Sequence, residues 1–239
     1  MPLVLAGDDI AGQILIALGE SNLRLEKNDV LVVAQKIVSK AEGRLVYLDQ
    51  VSPSAEAQRR ASETDKDPRL VELILRESVS VVRQERNLII TENKLGIVMA
   101  NAGIDQSNVE SGCALLLPED PDQSAMNLRA ALKCALDIDV GIVIADSIGR
   151  AWRRGIIGHA IGVAGVEAVI DMRETYDLYG RELRVTEIAI ADEIAAAGTL
   201  LMGQAQEGIP VVIVRGFSAF DEATSAKDLI RPKDQDLFR

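Results

Sequence analysis

Side chains that commonly serve as nucleophiles, redox groups or zinc ligands are scarce in this sequence. Its 239 residues include two cysteines, Cys113 and Cys134, and one histidine, His159. Two cysteines outside any C-x-x-C pair are too few for a disulfide framework or a thiolate metal cage, so we expect reduced thiols. A single histidine disfavours a histidine-rich zinc site and a Ser/His/Asp triad. Any metal ion is therefore expected to have oxygen ligands.

Long apolar runs are also missing. No window reaches the roughly 18 uncharged apolar residues that a membrane-spanning helix requires, and residues 1–20 lack the features of a secretory signal. Hydrophobic residues nevertheless make up 48% of the chain, with a mean hydropathy of +0.12, which is enough to bury a sizeable core. These features predict a globular cytoplasmic protein with no membrane partner.

Basic residues are outnumbered by acidic ones. Lysine and arginine total 26 against 37 aspartates and glutamates, which gives a formal net charge of −11. This balance opposes association with phosphate backbones, so we expect no nucleic-acid partner. An acidic protein that acts on an anionic substrate must group its few cations locally or recruit metal ions.

Hydrophobic periodicity predicts a mixture of helices and strands without an internal repeat. Asp8 and Asp9 begin a helix that ends near Gly19, whereas the charged, proline-containing residues 52–68 indicate a surface excursion. Further helices are expected at residues 70–75 and 189–201, and strands at residues 29–34, 79–82, 88–90, 97–100, 140–145 and 209–214. We predict a mixed α/β (α+β) functional unit over residues 1–217, of one domain or two joined lobes, and a polar, loosely held tail at residues 218–239.

Cations are grouped directly after the first predicted strand. Residues 35–44 contain the cations Lys36, Lys40 and Arg44 together with Ser39. Such a stretch can neutralise a triphosphate, although no G-x-x-x-x-G-K-[ST] motif occurs in the chain. A P-loop is therefore excluded.

Oxygen-bearing side chains are grouped in residues 101–108, after another predicted strand. Asn101, Asp105 and Asn108 share this segment with Gly103, a composition that suits a loop binding a cation or a phosphate. An Asx-type turn, in which the side chains bond their own backbone, is the simpler interpretation of this segment alone.

Asp146 and Ser147 directly follow the predicted strand at residues 140–145. The carboxylate can ligate Mg²⁺ or Mn²⁺ while the hydroxyl reaches a second ion or a phosphate oxygen. Asp and Ser are also common at helix N-caps, so a cap is the alternative interpretation. We predict a loop rich in glycine and arginine here. Arg150, Arg153 and Arg154 suit an anionic ligand, and a solvated basic loop accounts for them equally well.

A fourth segment joins the predicted helix at residues 189–201 to the last strand. Gly203 and Gly208 permit close approach of the backbone to a ligand, but helix capping explains Gly203 as well. By itself this signal is weak.

The order and spelling of these segments resemble those of the coenzyme F420-0:L-glutamate ligase family. The blocks Asn101-Ala-Gly-Ile-Asp105 and Asp146-Ser-Ile-Gly-Arg150 are fairly specific to it. The resemblance extends over almost the whole chain, from Gly7 to Gly216, and includes Ala160-Ile-Gly-Val-Ala-Gly165, Gly180-Arg-Glu-Leu183, Ala191-Asp-Glu193 and Ile209-Pro-Val-Val-Ile-Val-Arg-Gly216.

The resemblance implies a ligase that uses GTP as co-substrate and two divalent ions, Mn²⁺ or Mg²⁺, with K⁺ as a further candidate ion. It would join L-glutamate through its amine to the phospholactyl carboxylate of the deazaflavin F420-0, forming a γ-linked glutamyl tail. The implied structure is an intertwined homodimer with an unusual two-lobed fold of mixed sheets.

Site residues follow from the resemblance position by position. Asp105 and Asp146 are similar to ligands of one ion, and Ser147 and Gln204 to ligands of the second. Lys40 and Arg150 are expected to hold phosphate oxygens during catalysis. The positions that resemble GTP contacts are Gly7, Asp8, Ser39, Lys40, Arg44, Asn108, Met202, Gly203, Gln204, Gln206, Glu207 and Gly208.

Two features leave alternatives open. Ala151 and residues 155–159 depart from the family pattern, which favours a GTP- and metal-dependent ligase of the same architecture with a different acceptor. The apolar composition and the small-residue helix also permit a non-catalytic, nucleotide-binding dimer. The first alternative predicts turnover of another acceptor, and the second predicts GTP binding without phosphate release.

Overall fold

The structure is a computed structural model that describes residues 1–217 and 224–237. The α-helices in this part are α1 (Ile10–Glu20), α2 (Gln35–Ala41), α3 (Ala55–Thr64), α4 (Pro68–Arg76), α5 (Pro121–Leu136) and α6 (Ile190–Met202). The strands are β1 (Val30–Ala34), β2 (Leu45–Tyr47), β3 (Ser78–Glu85), β4 (Leu88–Asn93), β5 (Val98–Ala100), β6 (Cys113–Leu115), β7 (Gly141–Arg150), β8 (Arg153–Ala164), β9 (Ile170–Asp171), β10 (Glu187–Ile188) and β11 (Val211–Val214).

A four-stranded mixed sheet, in the order β11-β1-β7-β8, forms the centre of the larger lobe. β1 runs parallel to β7 and antiparallel to β11, and β7 pairs with β8 as an antiparallel hairpin. Residues Val30, Leu31, Val32 and Val33 are fully buried. Their β-branched and apolar side chains suit a strand that is covered on both faces, as predicted.

Helices cover both faces of this sheet. Apolar residues of α1, α2 and α5 pack on one face, and those of α6 pack on the other. α6 lies very close to the sheet at Gly198, where the absence of a side chain permits the approach. A Cβ atom built on Gly198 would lie only 2.6 Å from Cβ of Val32. The expectation that this small-residue helix packs tightly against a neighbour is confirmed.

A second buried cluster forms the smaller lobe. It joins apolar residues of α3, α4 and β4 to residues near β6, beside the antiparallel sheets β3-β4-β5 and β2-β6. The predicted mixed α/β fold with mixed sheets is therefore confirmed. In the described residues no helix is both long and apolar enough to span a membrane.

The expected surface excursion at residues 52–68 is wrong, because most of it forms α3. The Oγ atom of Ser54 caps this helix by accepting from the backbone N–H of Ala57. Ala57, Ala61 and Thr64 are buried on one face. The charged residues between them hide this short apolar stripe in the sequence.

The predicted loop after residue 145 is also wrong. β7 continues through Arg150, turns at Ala151 and Trp152, and returns as β8. Backbone pairing with β8 therefore holds Asp146 and Ser147 in an extended strand. Local composition could not reveal this because Gly149 and Gly155 both resemble loop residues.

The described part of the C-terminal tail packs against α5 and β4, contrary to the expected loose attachment. Ala226 is buried, and Oγ of Ser225 donates to the carboxylate of Asp122 at 2.6 Å. Lys233 pairs with Glu92 at 2.9 Å. The expectation for residues 218–223 and 238–239 concerns positions outside the described residues.

Candidate functional site

The carboxyl end of β1 lies beside the middle of β7 in the main sheet. Ala34 lies beside Ala145 in the parallel register, and the chain then enters α2 while β7 continues into Asp146. Ligand sites in α/β sheets favour such strand ends. A cavity of about 710 Å³ opens here, lined by Leu5, Ala6, Lys36, Lys40, Asn108, Asp146, Ser147 and residues 202–210. We call it the strand-end cavity.

Two lysines of α2 bind the loop that follows β5. Nζ of Lys36 lies 2.7 Å from Oδ2 of Asp105, and Nζ of Lys40 donates to the carbonyl oxygen of Asn108 at 2.8 Å. The two lysines are four residues apart and therefore share one helix face. Burial and the neighbouring charge of Lys36 lower the pKa of Lys40.

Asp105 is held from two sides. Burial by itself raises its pKa, but the hydrogen bonds from Lys36 and from the backbone N–H of Ser107 outweigh burial and lower the pKa overall. The N–H of Ser107 lies 2.6 Å from Oδ1 of Asp105. The Asx-type turn considered above is therefore present, and the ion pair with Lys36 exists beside it.

Asp146 carries a carboxyl group whose pKa is raised. Burial is the largest cause, and the charge of Asp105 adds to it, while His159, the Ser147 backbone N–H and Lys36 act in the opposite direction. The charge of Asp105 therefore acts on Asp146, although the two residues lie on different segments. Asp146 lines the strand-end cavity and Asp105 does not.

The loop after α6 completes the wall of the cavity. Oγ of Ser147 donates to Oε1 of Gln204 at 2.8 Å, and Nδ2 of Asn108 donates to the carbonyl oxygen of Ala205 at 3.3 Å. Three separate segments therefore converge at this point. Met202, Gln206 and Gly208 also line the cavity.

Glycine is required at position 203. Gly203 has φ 73°, and a Cβ atom there would lie 2.3 Å from Cδ of Glu207. The Glu207 carboxylate accepts from the backbone N–H of Ala205 at 2.8 Å, and such backbone hydrogen bonds lower its pKa. Glu207 therefore closes its own loop while it lines the cavity.

The donor set fits a divalent ion that prefers oxygen. Asp105 and Asp146 supply carboxylates, and Ser147 and Gln204 supply a hydroxyl and an amide oxygen. Among residues 1–217 and 224–237, no group of three histidine, cysteine or acidic side chains is arranged to hold a metal ion. Mg²⁺ sites commonly use one or two carboxylates together with waters and phosphates, which matches this arrangement.

Four of the sequence-predicted nucleotide contacts do not line the strand-end cavity. Oγ of the buried Ser39 donates to Oε1 of Gln35 at 2.9 Å. The carboxylate of Asp8 accepts from the backbone N–H of Leu5 at 2.8 Å and so shapes its own turn. Gly7 belongs to the same turn and bonds the carbonyl oxygen of Ala41.

Arg44 lies on the far side of α2. Its guanidinium pairs with Glu77 at 2.9 Å and with Glu119 at 2.8 Å, and it also donates to the carbonyl oxygen of Leu117. These contacts join the two lobes. Arg44 therefore holds Glu77, Glu119 and the Leu117 carbonyl together. Its contact with a nucleotide stays a prediction.

Arg150 occupies the tip of the β7–β8 hairpin, opposite Arg153. Its Nε atom is buried without a partner among the described residues. Arg150 does not belong to the cavity lining, because the extended hairpin carries it away from the strand ends.

Sequence reasoning grouped Lys36 with the other cations of residues 35–44 but did not predict its pairing with Asp105, and it assigned no role to His159. Nδ1 of His159 lies 3.1 Å from the carbonyl oxygen of Asp146, and the two residues are directly opposed in the hairpin register. The spacing of Lys36 and Lys40 on one helix face was a usable signal for Lys36. No local signal identified His159, because the residue that it opposes, Asp146, lies on the neighbouring strand β7.

The fold and the cavity together define an α/β protein without a P-loop whose ligand-sized cavity lies where β1 ends beside its parallel neighbour β7. Residues 1–216 match the family model described as F420-0:Gamma-glutamyl ligase. The chain belongs to this family.

Similar curated proteins come from several archaea. The chain is 47% identical to a coenzyme F420:L-glutamate ligase from Methanothermobacter thermautotrophicus over 241 residues, covering 100% of this chain and 96% of the relative. It is 48% identical to the protein of that name from Methanopyrus kandleri, covering 98% and 92% of the two chains. The corresponding protein of Methanocaldococcus jannaschii is 43% identical, with 100% and 94% covered.

Proposed function

We propose that this protein is a GTP-dependent ligase that joins the amine of L-glutamate to the phospholactyl carboxylate of F420-0. The relatives' names supply the amino acid and the coenzyme. The observation that carries the proposal is the convergence of Lys36, Lys40, Asp105 and Asp146 at the strand ends. This arrangement combines anion-binding and cation-binding groups beside a cavity of ligand size.

A carboxylate must be activated before an amine can attack it, because its direct leaving group would be oxide. In the proposed reaction, an oxygen of the F420-0 carboxylate attacks the γ-phosphorus of GTP and GDP departs. The resulting acyl phosphate is attacked by the glutamate amine, which loses a proton. Inorganic phosphate leaves with the electrons of the broken carbon–oxygen bond, and an amide remains.

The lysines support this reaction by binding negative charge. Lys40 lines the strand-end cavity, and burial together with Lys36 lowers its pKa. The bonds of Lys36 and Lys40 to the 105–108 loop fix the positions of their ammonium groups. These groups lie where phosphate oxygens would bind. Preorganised charge of this kind stabilises a phosphoryl-transfer transition state more than mobile solvent does.

Asp105, Asp146, Ser147 and Gln204 are the residues that would hold the divalent ions, Mn²⁺ or Mg²⁺. When bound, such ions offset the charge of the β- and γ-phosphates. The chain's own contribution is to fix these oxygen atoms through the Lys36 ion pair and the Ser147–Gln204 hydrogen bond. K⁺ as an additional ion stays a prediction.

We also propose a cytoplasmic homodimer. The segment around β9 and β10 exposes several large apolar side chains, and an exposed cluster of this kind commonly marks a protein interface. These are Tyr176, Leu178, Tyr179 and Val185, which are 69%, 101%, 87% and 85% exposed.

The test is an incubation of purified protein with F420-0, L-glutamate, GTP and Mn²⁺, followed by mass spectrometry of the coenzyme. We expect products heavier by whole glutamyl residues and release of GDP and phosphate in equal amounts. Omission of GTP, or its replacement by ATP, serves as the control. GTP binding without phosphate release would contradict the proposal and indicate a non-catalytic nucleotide-binding dimer.

If F420-0 stays unmodified but GTP is consumed with another acceptor, the alternative ligase of the same architecture is correct. Ala151 and residues 155–159, which depart from the family pattern, motivate that comparison. They lie in the β7–β8 hairpin, whose tip residue Trp152 is 83% exposed. Carboxylate-bearing coenzyme fragments, offered in place of F420-0, would identify the part that is recognised.

A further inference from the structure

A second cavity lies at the outer edge of β8, apart from the strand-end cavity. It has a volume of about 320 Å³ and lies between β5, the start of α5, the start of α6 and the 3-10 helix Ala226–Leu229. We call it the edge cavity. Its size is at the lower end of the roughly 300–1,000 Å³ range of small-molecule sites.

His159 connects the two cavities. It lines the edge cavity, is 9% exposed, and is directly opposed to Asp146 in the hairpin. Directly opposed residues of an antiparallel pair project from the same face of the sheet. The edge cavity therefore adjoins Asp146, one strand away from the carboxylate pair.

The imidazole presents a buried hydrogen-bonding atom without a partner. Nδ1 lies 3.1 Å from the carbonyl oxygen of Asp146, which can only accept, so Nδ1 carries the proton. Nε2 is buried and has no partner among the described residues. In the neutral ring Nε2 is an acceptor, and an unpaired buried acceptor is costly unless a ligand donates to it.

The remaining charges around the edge cavity have both signs. Lys227 and Arg231 line it, and neither forms an ion pair within the described residues. Asp192 also lines it and uses Oδ1 to accept from the backbone N–H of Ala160 at 2.8 Å. Lys94, Glu119, Asp120 and Asp122 line it as well, but Lys94 pairs with Glu77, Glu119 pairs with Arg44, and the carboxylates of Asp120 and Asp122 accept from backbone N–H groups. Among the described residues, Lys227 and Arg231 are therefore the cations left for carboxylates, and His159 and Asp192 are left for an ammonium or amine.

We propose that the edge cavity binds the L-glutamate substrate. This inference rests on the proposed ligase function and assigns the amino acid to a particular place in it. Arg231 and Lys227 would bind the two carboxylates, and Nε2 of His159 would accept from the amine. The amine then lies on the side of β8 that adjoins Asp146, where the activated acceptor is expected.

Charge, size and position favour glutamate over F420-0 as the occupant. A deazaflavin with its side chain is much larger than this cavity, and it carries no amine to pair with the His159 nitrogen. A zwitterionic dicarboxylate matches the two lining cations that have no ion pair among the described residues, the unpaired Nε2 of His159 and the carboxylate of Asp192. The strand-end cavity, with its greater volume, is left for the nucleotide.

The test is a steady-state comparison of wild-type protein with Arg231→Ala and Lys227→Ala. Loss of a charged hydrogen-bonding partner should raise KM for L-glutamate about tenfold in each variant, while KM for GTP and for F420-0 stays within about twofold. Arg83→Ala is the charge-matched control, because Arg83 is exposed and lines neither cavity. Circular dichroism would confirm that each variant is folded.

His159→Phe provides a second measurement that a general structural defect would not mimic. Glutarate has both carboxylates of glutamate but lacks the amine, so it should inhibit competitively with glutamate. We expect His159→Phe to raise KM for L-glutamate about tenfold and to leave the inhibition constant of glutarate unchanged. Equal weakening of both ligands would overturn the assignment of Nε2.

Failure of the inference is distinguishable from failure of the proposed function. If wild-type protein adds glutamate but Arg231→Ala and Lys227→Ala leave its KM unchanged, only the edge-cavity assignment is wrong. A shift confined to KM for F420-0 would also overturn it. If wild-type protein adds no glutamate, the proposed function itself fails.

Discussion

Nζ of Lys36 lies 2.7 Å from Oδ2 of Asp105, and this contact joins the first turn of α2 to the loop after β5. The two side chains are about one-quarter and one-third exposed, so the pair is partly shielded from water. It places a fixed positive charge beside the two carboxylates. The contact therefore connects the anion-binding and cation-binding parts of the site.

Replacing Lys36 by methionine should weaken use of GTP. The variant keeps the length of the side chain but removes the ammonium that holds Asp105, so kcat/KM for GTP should fall at least about tenfold. Steady-state kinetics with varied GTP would measure this. Lys27→Met is the control, since Lys27 is exposed at the opposite end of β1. An equal loss in both variants would contradict a specific role for Lys36.

Asp146→Asn should give a folded protein with almost no turnover. The amide has nearly the shape of the carboxyl group but lacks the charge needed to hold a divalent ion. The activation barrier should therefore rise by several kcal/mol, and each 1.36 kcal/mol slows the reaction about tenfold. Product mass spectrometry and thermal unfolding would be measured together. Asp137→Asn is the matched control, because Asp137 ends α5 in the left-handed region, which asparagine tolerates. Near-normal turnover of Asp146→Asn would refute this site.

Asp29 should make the free energy of unfolding depend on pH. Burial alone raises its pKa, but hydrogen bonds from Arg215 and from the Glu26 N–H lower it overall. The Asp29 carboxylate is 1% exposed and lies 2.7 Å from Nε of Arg215. Because the folded pKa is below the unfolded value, the stabilisation is present above about pH 4 and is lost as pH falls through the folded pKa.

Asp29→Asn should therefore lower the free energy of unfolding by about 2 kcal/mol at pH 7. This is less than the roughly 3–5 kcal/mol for a fully buried pair, since Arg215 is half exposed. Urea unfolding at pH 7 and below pH 4 should show the difference from wild type shrinking in acid. Asp65→Asn, which breaks an exposed pair with Arg86, should cost less than about 1 kcal/mol. A difference that stays constant with pH would contradict the assignment.

Gly198→Ala should destabilise the protein although alanine favours helices. The new Cβ would lie 2.6 Å from Cβ of Val32, in a fully buried strand. Overpacking of this kind costs roughly 1–3 kcal/mol and exceeds the gain in helix propensity of up to about 1 kcal/mol. Gly19→Ala is the control, because its Cβ would meet open space in α1. Thermal unfolding of both variants should show opposite shifts, and stabilisation by Gly198→Ala would show that α6 can move away from the sheet.

The main strands were predictable because their signals are local. The apolar, β-branched residues of β1 indicate a strand that is covered on both faces. The helices α1 and α6 were predicted from local signals as well. The α3 helix was not recognised, since Ala57 and Ala61 form too narrow an apolar stripe among charged residues. The hairpin of β7 and β8 was missed because its glycines, Gly149 and Gly155, are typical of loops and glycine is depleted in strands.

By itself, the sequence determined the apolar strands, the absence of a P-loop and the spelling of the two acidic segments. Tertiary structure alone decided that Lys36 meets Asp105, that Arg44 turns away towards Glu77, and that His159 stands opposite Asp146. Neighbouring residues determine strands and turns through short-range sterics and burial. Contacts between separate segments depend on how the helices and sheets pack, so these pairings across 69, 33 and 13 positions have no local signature in the chain.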